Sequence, residues 1–277
     1  MSIVLGIDVG GSSTKIVGLE NGELIGTLQV RAADQITSLY GAIGNFLRAK
    51  CIKLGDISSI ALTGVGATFI DEPIYDLQTS KVNEFLAMGC GALRLSGLEE
   101  AIVVSMGTGT AFVRAGRNAI THIGGSGVGG GTIIGLASRM LGKSDIDAII
   151  SLAKSGRLDN VDLLVREIIG HDIPSLPPDL TAANFGRIKS TASESDIALG
   201  IINMVFQTAG MLAVFIARNV TIRDIVLTGT LTTLPQAELV MSQFMDQYDL
   251  RFIIPPNAVF ATALGAAYNA ENPDFGI

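Results

Sequence analysis

At 277 residues the chain can form one large α/β domain or two lobes, with a sizeable buried core. Hydrophobic residues make up 48% and mean hydropathy is +0.48, yet no uninterrupted apolar span reaches the ~18–20 residues that cross a bilayer. The formal charge of −7 and a pI near 4.8 argue against a nucleic-acid partner, whose phosphates would be repelled.

The best membrane candidate, Met204 to Asn219, is interrupted by Gln207, Thr208 and Gly210 and then meets Arg218, as a helix buried against protein would. No basic, apolar leader precedes the strand-like opening MSIVLGID, so a soluble cytoplasmic protein without membrane contact is expected. Cys51 and Cys90 are too few for a disulfide framework or a metal site and are expected as buried free thiols.

In chain order, MSIVLGIDV is a β-rich run, and STKIVGLE and LIGTLQV form a hairpin turning at Asn21 and Gly22. Leu39, Ile43, Phe46, Leu47 and Cys51 recur at helical spacing, and the helix should close on Gly55. SSIALTGVG is a buried strand ending in a glycine turn, NEFLAMGCGALRLSG a helix, and AIVVSMGTGTAFVRAG a glycine-centred hairpin. GGGTIIGLASRML opens a helix on glycines. SGRLDNVDLLVREIIGHDIPSLPPD alternates acids and bases and predicts a solvated helix and connector, with His171 a loop residue of no role. ESDIALG, with Glu194 and Asp196, caps a long apolar helix carrying Ile197, Ile201, Met204, Val205, Thr208, Met211, Leu212 and Phe215 along one side. DIVLTGTL is a strand and loop, FATALGAAYNA a short helix, and ENPDFGI a frayed tail. Strands alternating with helices and hairpins predict an α/β architecture with mixed sheets.

One pattern recurs: a hydrophobic strand meets a glycine and hydroxyl turn at IDVGGSSTK, VVSMGTGT and IVLTGTL. A single such turn is equally a plain connection between strands. Three of them point to phosphate, because turn amides aim N–H groups into a concavity and glycine lets an oxygen approach closely. No GxxxxGK[ST] is present, and GVGGG at Gly127 to Gly131 lacks the strand and distal acid of a dinucleotide site.

These three turns in this order resemble the sugar kinase, heat-shock protein and actin superfamily. Within it the chain resembles type II pantothenate kinases, on PPDLTAANFG (Pro177 to Gly186) and GGSGVGGGTIIGL (Gly124 to Leu136). The resemblance covers essentially the whole chain. It implies a two-lobed actin-like (ribonuclease H-like) ATPase fold with mixed sheets flanked by helices, residues 1–96 forming one lobe and 97–277 the other. It also implies ATP-dependent, Mg²⁺-requiring phosphorylation of pantothenate, or of a related small alcohol, by a homodimer.

The resemblance assigns roles by position. Asp8 is the metal-associated acid, fitting an ion that takes one or two carboxylates plus phosphate oxygens and water. Gly10, Gly11, Ser12, Ser13, Thr14 and Lys15 cradle the β and γ phosphates, and Gly107, Thr108, Gly109 and Thr110 close over them. Gly229 and Thr230 lie near the nucleoside with Gly130, Gly131 and Thr132 at a helix start. Glu84 is the catalytic base; read without the family it is an acid at a helix start. Thr181 and Ala182, from the neighbouring subunit, and Gly124 contact the acceptor. His122 stands where the family has an arginine for the pantothenate carboxylate, which puts the acceptor in question; Arg114 and Arg117 are nearby substitutes. The alternatives are a kinase of this fold acting on another alcohol or a sugar such as N-acetylglucosamine, and an inactive nucleotide-binding regulator.

Overall fold

The computed structural model describes residues 2–31, 34–169 and 177–275; His171, Gly276 and Ile277 lie outside the described residues. β1 (Ile3–Val9), β2 (Ser13–Glu20) and β3 (Glu23–Arg31) form an antiparallel meander. Its second turn puts Asn21 and Gly22 both at positive φ, 51° and 78°, as a two-residue hairpin requires. Helix α1 (Gln35–Lys50) starts on the Asp34 cap and ends on Cys51 in the left-handed conformation. The helix therefore stops before Gly55, which lies in the 3-10 turn Leu54–Asp56, and Cys51 is exposed rather than buried. β4 (Ile57–Thr63) and β5 (Gln78–Lys81) complete a sheet of order β3-β2-β1-β4-β5, and α2 (Glu84–Ser96) follows.

The second half repeats the plan. β6 (Glu100–Met106), β7 (Thr110–Gly116) and β8 (Ala119–Ser126) form the meander, followed by α3 (Gly130–Leu141) and α4 (Ile146–Ala153). A two-stranded sheet of β9 (Leu163–Leu164) and β10 (Thr181–Ala183) precedes α5 (Glu194–Val220). β11 (Asp224–Thr228), α6 (Pro235–Tyr248), β12 (Arg251–Ile253) and α7 (Ala261–Glu271) finish the chain. The second sheet runs β12-β11-β6-β7-β8, the first sheet's order reproduced strand for strand. The segment expected as a solvated helix is instead two 3-10 turns, Leu158–Asn160 and Val165–Glu167, around β9, because Asp162 is drawn inside and Leu164 pairs with Thr181.

α2 and α7 lie between the sheets: Val4, Val17 and Leu19 pack on Ala263, Leu264 and Ala267, while Met88 and Leu93 pack on Val103 and Val113. A β-carbon on Gly6 would stand 2.0 Å from the Ala263 carbonyl oxygen, so this glycine lets α7 rest on β1. The tail is not frayed as far as Phe275, whose ring meets Tyr268 edge-on and whose carbonyl accepts from Asn269.

α5 is long and apolar enough to cross a membrane by length and composition, but it packs among α3, α4, α6 and the second sheet as a core helix. Ser193 and Asp196 form its capping box, as the acidic start suggests. Its buried face is rotated from the expected stripe: Ile201 and Val205 are inside, Met204, Thr208, Met211 and Leu212 are half-buried, and Phe215 is 54% exposed. Ala198, Ile202, Phe206, Ala209, Ala213, Val214 and Ala217 take the core instead. Small residues win because close approach is needed; a β-carbon on Gly210 would lie 2.5 Å from the Phe244 ring.

Candidate active site

Strand register builds the first half of the site. Asp8 sits opposite Lys15 across the β1–β2 pair and opposite Thr63 across β1–β4, so Lys15 Nζ reaches Asp8 Oδ2 at 3.4 Å. Asp8 and Lys15 are 7% and 8% exposed. Burial raises the Asp8 carboxyl above its ordinary range, against the lowering effect of Lys15. The loop one turn is tight: Gly10 N–H donates to the Ser13 carbonyl, and a Gly10 β-carbon would lie 2.9 Å from that oxygen. Gly11 and Ser12 are exposed at its tip, while Ser13 and Thr14 are buried.

The Asn83 side chain accepts from the Phe85 and Leu86 amides and so starts α2 with Glu84 in its first turn. Glu84 is half-buried, and burial first and the Asp8 charge second push its carboxyl upward, while Lys15 pulls it down. Two acids and one lysine therefore share one field. One residue on, Phe85 stacks on His122 with ring centroids 3.8 Å apart and planes 13° from parallel. β8 thus brings His122 beside the first turn of α2, which carries Glu84. Arg114 and Arg117 are instead paired with Glu100 and Glu99.

Glycines assemble the facing wall. Gly130 and Gly131 donate their amides to the Gly107 and Thr108 carbonyls, and Thr132 Oγ1 bridges Gly127 and Gly129, which ties the start of α3 to loop two. A β-carbon on Gly129 would stand 2.6 Å from Thr108 O, and one on Gly229 2.5 Å from Met106 O. Thr230 opens the 3-10 turn that follows Gly229. Gly124 lies opposite Phe112 on β8, two residues beyond His122. Thr181 and Ala182 stand on β10, where the Thr181 hydroxyl donates to Asp162, the residue just before β9.

Sequence reasoning missed Thr63 and Gly64. Gly64 has φ 87° and ψ 163°, and its counterpart Gly229 has φ 88° and ψ 174°. A Gly64 β-carbon would lie 2.6 Å from Asp8 Oδ1. The signal was present, since Leu62-Thr63-Gly64 and Leu227-Thr228-Gly229 repeat the same tripeptide at the end of equivalent strands.

The site fits a nucleotide and a hard divalent ion. β-carbons at Gly11 and Gly107 would meet no atom within 4 Å, which leaves both loop tips open to phosphate. The Thr63 hydroxyl beside Asp8 is buried without a partner. Among the described residues no cluster of three or more His, Cys, Asp or Glu exists, so a metal here would take one carboxylate and complete its shell with phosphate and water.

The profile of the Fumble family matches residues 100–251. The type II pantothenate kinase of Staphylococcus haemolyticus is 30% identical over 280 residues, covering 95% of this chain and 98% of that protein. The type II pantothenate kinase of Bacillus cereus is 25% identical, covering 98% and 99%. Among solved structures, the Clostridium difficile activator of 2-hydroxyisocaproyl-CoA dehydratase with bound ADPNP superimposes with TM-score 0.71 at 15% identity, covering 98% of this chain and 95% of that one. A ROK family glucokinase from Streptomyces griseus with glucose and AMPPNP gives TM-score 0.64 at 14% identity, covering 98% and 99%. These likenesses establish the two-lobed actin-like ATPase fold.

Proposed function

Because the chain belongs to the type II pantothenate kinase family, we propose that it transfers the γ-phosphoryl group of ATP to the hydroxyl of pantothenate, giving 4′-phosphopantothenate for coenzyme A synthesis. The observation that carries the mechanism is the shared field of Glu84, Asp8 and Lys15 at the mouth of loop one.

Phosphoryl transfer asks the protein for positioning and charge stabilisation more than for covalent chemistry. In our reading Glu84 accepts the acceptor's hydroxyl proton as its oxygen bonds to the γ phosphorus and the bond to the bridging oxygen breaks, releasing ADP. A carboxyl raised by burial and by Asp8 is better matched to that proton than an ordinary glutamate. Lys15 and the loop one turn at Gly10 to Thr14 hold the β and γ phosphates, and Gly107 to Gly109 cover them from the second lobe. Asp8 is the residue that would hold Mg²⁺, which when bound neutralises phosphate charge. Gly130, Gly131 and Thr132 act by fixing loop two, while Gly229 and Thr230 border the nucleoside.

The Phe85–His122 stack forms one wall of the acceptor site, with Gly124 beyond it. We place Thr181 and Ala182 at the acceptor site of the neighbouring subunit. The half-open stripe Met204, Met211 and Phe215 on α5 supports a homodimer that would cover it. The cytoplasm supplies both ATP and pantothenate.

The test is an acceptor panel with the purified protein, Mg²⁺ and ATP, reading product by mass. Phosphopantothenate formed well above any phosphosugar supports the reading. ATP turnover only with hexosamines would transfer the chain to the sugar kinases of this fold, and binding without turnover would make it a regulator.

A further inference from the structure

Asp162 is a carboxylate 0% exposed to solvent, and no cation among the described residues pairs with it. Burying an unpaired acid costs several kcal/mol unless hydrogen bonds replace water. Three donors do so: Thr181 Oγ1 and Asn203 Nδ2 donate to Oδ2 at 2.9 and 3.3 Å, and the Phe185 amide donates to Oδ1 at 2.9 Å. Two of the three come from the segment 181–185, and the third comes from α5.

That segment is held in a conformation it would not choose. Phe185 has φ 55°, a left-handed backbone that costs a non-glycine residue about 1–2 kcal/mol. Its ring is wedged over Gly200, where a β-carbon would come within 3.0 Å of it. Gly186 N–H closes the turn on the Ala183 carbonyl at 3.0 Å, and Ala183 pairs with Leu163. Between the fastened residues 181 and 183, Ala182 is exposed. With its proton directed to Asp162, the Thr181 hydroxyl can offer a ligand only a lone pair or its methyl group.

We propose that Asp162 is a positioning residue for acceptor binding, which fixes residues 181–186 in one strained form and presents Ala182 and Thr181 to the acceptor. This rests on the reading that these residues border the acceptor site. Asp162 touches neither substrate, so its loss acts through the segment.

The experiment compares wild type, Asp162→Asn and the swap Asp162→Asn with Asn203→Asp, using two independent readouts. Asp162→Asn is chosen because Asp162→Ala leaves three buried donors unmatched, which threatens folding itself. In Asp162→Asn one carbonyl oxygen replaces two, so the side chain cannot accept from the Phe185 amide and from Thr181 and Asn203 at once, and its NH2 group faces a donor whichever way it turns. In the swap, an asparagine at 162 still accepts from the Phe185 amide, and an aspartate at 203 accepts from that asparagine and from Thr181. The first readout is trypsin cleavage after Arg187, next to the segment: we expect it to accelerate by about tenfold in Asp162→Asn and to return to the wild-type rate in the swap. The second is steady-state kinetics: we expect KM for pantothenate to rise by about tenfold, with KM for ATP unchanged and recovery in the swap. Unchanged cleavage in Asp162→Asn, or equal changes in both KM values without recovery in the swap, would overturn the proposal. If wild type does not phosphorylate pantothenate, the functional reading fails on its own, and the cleavage rates still decide whether Asp162 fixes the segment.

Discussion

Gly91 on α2 and Gly265 on α7 bring the two helices together backbone to backbone: a β-carbon on Gly265 would lie 2.6 Å from the Gly91 nitrogen, and one on Gly91 3.0 Å from the Gly265 nitrogen. The same β-carbons would stand 1.8 Å from the carbonyl oxygens of Ala87 and Ala261. α2 carries Glu84 at its start, and α7 packs on β1, which carries Asp8 one residue before its end. The contact therefore sets the distance between Glu84 and Asp8.

Gly91→Ala and Gly265→Ala should each cost about 3 kcal/mol or more in urea unfolding, since neither helix backbone can yield locally. Gly44→Ala is the control. That α1 glycine has open space at its β-carbon, and the substitution should stabilise by about 0.5–1 kcal/mol.

The pH profile follows from Glu84. As the proposed base, Glu84 works only when ionised, and burial and Asp8 both raise its carboxyl. Activity should therefore fail, as pH is lowered, at a higher pH than an ordinary glutamate would set. Asp8 is raised in the same direction, so the acid limb of kcat/KM belongs to the pair. Lys15→Gln removes the one lowering influence, and the limb should move further up.

Gly64 and Gly229 share a backbone conformation but face different chemistry. Alanine at either costs about 1–3 kcal/mol from the backbone alone, because φ of 87° or 88° with ψ of 163° or 174° is essentially confined to glycine. Gly64→Ala also intrudes on Asp8 Oδ1, so we expect it to raise the Mg²⁺ concentration needed for half-maximal rate. Gly229→Ala pushes on Met106 behind loop two and should raise KM for ATP instead.

His122 should govern the acceptor and leave the nucleotide alone. Removing the stack in His122→Ala should raise KM for pantothenate by roughly 2- to 13-fold, as loss of about 0.5–1.5 kcal/mol implies. KM for ATP should not move.

Much of this was legible in the sequence. The loop one and loop two turns, the Asn21–Gly22 hairpin, the capped start of α5 and Glu84 at a helix start all follow from local residues and spacing, because glycine, asparagine and capping patterns act over a few positions. What was not legible depends on contacts distant in sequence. The buried face of α5 is chosen by alanines that fit close neighbours, so large side chains misled the periodicity. Asp162 looked like one acid in a solvated run, and its three donors lie 19 to 41 residues away. Thr63 and Gly64 were visible as a motif, but only the matching sheet orders show that they repeat Thr228 and Gly229.

The most direct measurement is phosphopantothenate formation by wild type and Glu84→Gln under saturating ATP and Mg²⁺, with ATP affinity and melting temperature read alongside. The fold favours the neutral form of Glu84, so at neutral pH the ionised acid works against stability and the glutamine variant should melt no lower than wild type. We expect its kcat to fall by about 10²–10⁴ while ATP binds as before. A Glu84→Gln enzyme that phosphorylates pantothenate at the wild-type rate would contradict the assignment of the base and the mechanism built on it.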